Sequence, residues 1–132
     1  MSICMDKAKE ARDRTDIHVN CAQAVVMAFA DVLGISEDQA LGMGACFGRG
    51  MGMGATCGAV TGALMVLGLA GAGSESSRLL RKVRENHEGL IDCKDLLRVN
   101  AGKGLPKKPH CDGMVYELVE ITEQILKETG RI

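Results

Sequence analysis

The 132-residue sequence has no tryptophan, one tyrosine (Tyr116) and two phenylalanines (Phe29, Phe47). That scarcity removes the stacking platforms on which single-stranded nucleic acid is held. No charge of one sign dominates either: 16 basic residues stand against 17 acidic ones, a formal net charge of -1. The basic footprint of a nucleic-acid binder is missing, and no nucleic-acid partner is expected. No Cys-x-x-Cys pair occurs, which excludes zinc knuckles and thioredoxin-type motifs. The segment from Met1 to Thr15 mixes charges and lacks the apolar run of a secretory signal, which predicts a cytoplasmic location. In that reducing compartment thiols stay reduced unless they are catalytic or bound to metal.

What is present suits one packed domain over residues 1–132: 46% hydrophobic and 25% charged residues, without the signature of disorder. Helical periodicity recurs along the chain and strand alternation does not. Val25, Ala28, Phe29, Val32 and Leu33 form one apolar stripe, with Asn20 as its N-cap and Gly34 as its stop. Ser36 and Gln39 read as a capping box opening a short helix. Ser74 caps a charged helix whose apolar face is Leu79, Leu80, Val83 and Leu90. Asp92 can cap a helix carrying Cys93, Leu96 and Leu97, and Cys111, Met114, Val115, Leu118, Thr122 and Ile125 give a terminal amphipathic helix. The expected fold is all-α, a compact bundle of five to six helices.

At its centre the sequence predicts a buried helix rich in glycine and alanine. Gly50 to Ser74 contain no charge over 25 residues. That length would serve a membrane span, but the glycines dilute its apolar content and no aromatic belt flanks it, so a membrane-embedded protein is not expected. Gly50, Gly54, Gly58 and Gly62 repeat every four residues, the spacing that lets helix backbones approach closely. A faint echo relates the residues after Cys21 to those after Cys57. Amphipathic helices resemble one another often enough to account for it.

The six cysteines are Cys4, Cys21, Cys46, Cys57, Cys93 and Cys111. Four of them, Cys21, Cys57, Cys93 and Cys111, fall at or near the expected starts of different helices. A helix start presents unpaired N–H groups and partial positive charge, which favours the thiolate, the form that attacks and that binds metal. A single cysteine is commonly inert core. Four sharing one placement point to a site. Cys4 and Cys46 lack the placement and are expected to be bystanders.

The run Asn20-Cys21-Ala22-Gln23-Ala24-Val25, the motif Cys57-Gly58-Ala59-Val60-Thr61-Gly62, then Cys93-Lys94-Asp95-Leu96-Leu97 and Cys111 resemble one family. It is the small bacterial and archaeal C_GCAxxG_C_C family, described as redox-active and named for four spaced cysteines and a Cys-Gly-Ala-x-x-Gly motif. The resemblance runs from about Asn20 to the terminal helix and implies that Cys21, Cys57, Cys93 and Cys111 are the family cysteines. Gly58, Gly62 and Ala59 would leave room beside Cys57 for a backbone, a sulfur or a cofactor.

Other residues carry weaker signals. His110, beside Cys111, is the histidine best placed to be a ligand or a support, whereas His18 and His87 read as ordinary surface or satisfied residues. Met43, Met51 and Met53 near Cys46 allow a soft-metal reading such as Cu(I), against their commoner use as core filler. Arg78, Arg81, Lys82 and Arg84 form a basic run, by default a solvated helix face.

Three functions follow. The first is thiol–disulfide exchange or electron transfer, a possible thiol oxidoreductase with Cys57 as nucleophile, Cys93 or Cys21 as resolving partner, and a redox partner protein. The second is a metal module in which Cys21, Cys57, Cys93 and Cys111, with His110 as a lesser candidate, hold zinc or an iron–sulfur cluster. Successive spacings of 36, 36 and 18 residues match no standard cluster motif, though ligands from separate helices need none. The third is a helical homodimer in which the cysteines only pack, its glycine-lined helix serving a subunit face.

Overall fold

The computed structural model describes residues 2–132, and its regular structure there is helical. Seven α-helices follow in order: α1 (Ile3–Asp13), α2 (Cys21–Leu33), α3 (Glu37–Gly44), α4 (Gly58–Leu69), α5 (Ser76–Asn86), α6 (Cys93–Gly102) and α7 (Lys107–Glu128). The all-α expectation holds, with one helix more than expected. The addition is α1, capped by the Ser2 side chain, which accepts from the Met5 amide at 2.9 Å. Its buried face consists of Cys4, Ala8 and Ala11. These small side chains give little apolar contrast against the charges around them.

The caps of α2 and α3 are those expected. Asn20 and Gln23, and likewise Ser36 and Gln39, form reciprocal capping boxes, and Gly34 ends α2 in the left-handed conformation. At α5 the outcome differs. A short 3-10 turn, Gly73–Glu75, precedes the helix and Ser74 makes no cap bond.

The larger correction concerns the uncharged stretch. It is not one helix: Arg49, Gly50, Met51 and Gly52 all have positive φ, and α4 begins only at Gly58. Gly50 and Gly54 therefore lie on a left-handed turn, while Gly58 and Gly62 alone share a helix face. A Cβ at Gly62 would stand 2.7 Å from the Ala22 carbonyl oxygen, and one at Gly58 would stand 2.9 Å from that of Phe47. Helices α2 and α4 thus meet backbone to backbone, as four-residue small spacing permits. The centre is shared: α2 packs on α1, α3, α4 and α7, and α4 on α2, α5 and α7. Phe29, Val25, Val60, Leu67, Leu118 and Val115 fill the space between them with full burial. Among the described residues no helix is long and apolar enough to cross a membrane.

Candidate functional site

Four helix starts converge on one end of the bundle, each brought there by a different local device. Cys21 is the first residue of α2, held by the Asn20 cap, whose amide nitrogen also donates to the Gly44 carbonyl at 3.0 Å. Cys57 immediately precedes α4 and Cys93 opens α6. Those two segments are stapled together: the Cys57 amide donates to the Ile91 carbonyl at 2.9 Å and the Cys93 amide to the Ala55 carbonyl at 2.7 Å. Together these bonds flank an isolated antiparallel bridge between Thr56 and Asp92. Cys111 lies one turn into α7.

All four cysteines line a single open cavity of about 780 Å³, within the size range of small-molecule sites. His110 and His18 line it as well, and so does Cys46, which is exposed. Cys4 lies elsewhere, buried against α7. Met53 is exposed, and the three methionines gather neither at this cavity nor wholly in the core. His87 is not in the cavity lining and pairs with Glu117 at 2.8 Å.

The thiols are not equivalent. Cys21 and Cys111 act on each other: the neighbouring Cys21 thiol favours the charged form of Cys111 and brings that thiol down to about 6. Lys107, one turn earlier on the same helix, and Arg12 add to the effect, against the opposing pull of burial. The same pairing with Cys111, together with burial, pushes Cys21 far up. Burial pushes the Cys57 thiol up to about 11 despite the nearby amides of Ala59 and Val60. Cys93 is raised by burial and then by Cys111. A helix start is therefore not sufficient to acidify a thiol here; at Cys57 desolvation outweighs it. His110 is lowered by its own burial and so favours the neutral ring.

Arg12 links the site to the rest of the molecule. Its guanidinium donates to Asp112 at 2.6 Å and to the Val19 carbonyl at 2.8 Å, with its side chain almost wholly covered. Lys108 reaches the other Asp112 oxygen at 2.9 Å. These residues carry no local sequence signal except Lys107, which stands four before Cys111 and hence on its helix face.

The arrangement does not gather a metal donor set. No group of three His, Cys, Asp or Glu side chains among the described residues is placed to hold a metal ion. Zinc or an iron–sulfur cluster needs such convergence. What the geometry offers is four thiols lining one cavity, two of which, Cys21 and Cys111, act on each other's ionisation.

No curated protein and no solved structure matches the chain. A family model does, described as "Putative redox-active protein (C_GCAxxG_C_C)", over residues 19–125. That stretch runs from the residue before the Asn20 cap to the last turns of α7 and includes all four cavity cysteines, and the chain belongs to the C_GCAxxG_C_C family.

Proposed function

We propose that the protein performs thiol–disulfide exchange, with Cys111 as the attacking thiolate and Cys21 as the resolving thiol. The observation that carries this reading is that Cys21 and Cys111 line one cavity, each acting on the other's ionisation, with Lys107 and Arg12 also in the lining and favouring charge on Cys111. A thiolate of low pKa is abundant at neutral pH, and attack on a disulfide proceeds through a mixed disulfide that a neighbouring thiol displaces. This assignment takes the nucleophile's role from Cys57, whose thiol burial holds protonated. Cys57 and Cys93 then stand on the same wall as reserve thiols able to pass the disulfide onward.

The test is a thiol titration followed by peptide mapping. Mild oxidation removes two thiol equivalents, a dithiol reductant restores them, and the new bond joins Cys21 to Cys111. Equally slow alkylation of all four cavity cysteines in the native protein overturns the reading.

A further inference from the structure

The cavity carries a charge pattern that thiol chemistry alone does not require. Five Arg and Lys side chains line it and no Asp or Glu does. Three of the five are neutralised by carboxylates standing outside the lining. Arg12 and Lys108 share Asp112, and Arg14 pairs with Asp16 and Glu37. The remaining two, Arg49 and Lys107, are exposed, and neither has an ion-pair partner among the described residues. Both still act on the site, since each draws Cys93 downward and Lys107 does the same to Cys111. Arg49 is held at φ 56, at the head of the left-handed turn.

The cations are thus local to this cavity. The chain as a whole has a net charge of -1 and offers no general attraction for anions. Concave sites lined by one sign of charge concentrate ligands of the opposite sign and raise their association rates by about 10–1,000-fold. The concavity also selects by size. Cys57 is 6% exposed and Cys21 and Cys111 are half-buried, so a small molecule reaches them more readily than a disulfide fixed on the surface of a folded protein.

We infer that the disulfide substrate of this site is an anionic low-molecular-weight one, a small disulfide bearing carboxylates that Arg49 and Lys107 receive at the mouth. The inference rests on the exchange reading given above. In the forward direction the Cys111 thiolate attacks one sulfur of the small disulfide, forming a mixed disulfide and releasing one small thiolate. That thiolate takes the Cys21 proton. The Cys21 sulfur then displaces the second small thiolate from Cys111, closing the Cys21–Cys111 disulfide. The protein has lost two electrons and the small disulfide has gained them, released as two equivalents of small thiol. Excess of the same thiol reverses each step and returns the protein to the dithiol.

The experiment uses the full reduced chain and two aliphatic probes of opposite charge, the dianion 3,3'-dithiodipropionate and the dication cystamine. Loss of protein thiols is followed by quenching and peptide mapping, and each rate is divided by that of a free cysteine peptide under the same conditions. The expected normalised ratio favours the dianion by about tenfold or more at low salt. It collapses toward one at about 1 M salt, where the Debye length is about 3 Å. In Arg49→Gln combined with Lys107→Gln the ratio falls by a similar factor. Because the readout is a ratio between probes, a general change in thiolate reactivity cancels. A cation-favouring or salt-independent ratio, with two thiols still lost, overturns the substrate class and leaves the exchange reading in place. If neither probe removes thiols at any salt concentration, the exchange reading itself fails.

Discussion

Cys4 and Cys111 occupy opposite ends of the same antiparallel helix pair, α1 and α7, and the two ends treat a thiol in opposite ways. At one end Cys4 is 3% exposed and faces Glu123, and burial followed by the nearby carboxylate raises it to about 11. At the other end α1 presents Arg12 instead of a carboxylate, and Cys111 sits near the start of α7 under the influence of Cys21. The same helix pair therefore keeps one thiol protonated in the core and favours the charged form of another. The difference lies in which neighbours act on the sulfur: a carboxylate beside a buried thiol, or a second thiol and two cations beside a cavity.

The strongest way to break this comparison is competitive alkylation at pH 7 read by peptide mapping. Cys111 should label at least about thirtyfold faster than Cys4. Each pKa unit changes the thiolate fraction tenfold, and the weaker nucleophilicity of a low-pKa thiolate returns only part of that gap. Labelling of the two at similar rates would erase the distinction.

A smaller effect is expected from Cys21→Ala, which removes the thiol that most favours charge on Cys111. Without it the thiolate is less favoured, so the alkylation curve of Cys111 moves from a midpoint near pH 6 to higher pH by roughly 1–2 units, and labelling at pH 7 slows. Cys21→Ser keeps a donor and should hold the midpoint near its original value. A midpoint that ignores both substitutions would assign the acidity to Lys107 and Arg12 instead.

The smallest effect is expected at the other end. Glu123→Gln removes a negative neighbour of Cys4 and should lower its pKa by less than about one unit, because burial is the larger cause and remains. The pH dependence of Cys4 labelling in mild denaturant-free buffer checks this. A fall of several units would mean that charge, not burial, keeps Cys4 inert.

Six of the seven helices were legible because their signals are local. Asn20 with Gln23 and Ser36 with Gln39 are capping boxes written into four consecutive residues, and the stripe from Cys111 to Ile125 repeats at helical spacing. Helix α1 was not, since a face of Cys4, Ala8 and Ala11 has little hydropathic contrast. The left-handed turn at Arg49 to Gly52 was hidden for another reason: a glycine run fits a close-packed helix and a tight turn equally well until its neighbours are known. For the site, the four family cysteines were legible from motif and helix position, and the cavity does collect them along with His110. The ranking among them was not. It depends on the Cys21–Cys111 pairing and on Arg12, which meets Asp112 across 100 residues of sequence.

The close approach of Gly58 and Gly62 to their neighbours belongs to a wider pattern. Of the 17 glycines, those where an added Cβ would come within 3.0 Å of another atom are Gly44, Gly48, Gly50, Gly54, Gly58 and Gly62. All six fall in one 19-residue span flanking the thiol cavity; outside it only Gly71, among the described residues, has a neighbour within 4 Å of an added Cβ, at 3.2 Å. On that side of the cavity the nearest neighbour of Gly44, Gly50, Gly58 and Gly62 is main chain, and main chain has no rotamers to choose among. Its contour is set when the helices dock, and a ligand meets a mould rather than a set of side chains that can rearrange around it.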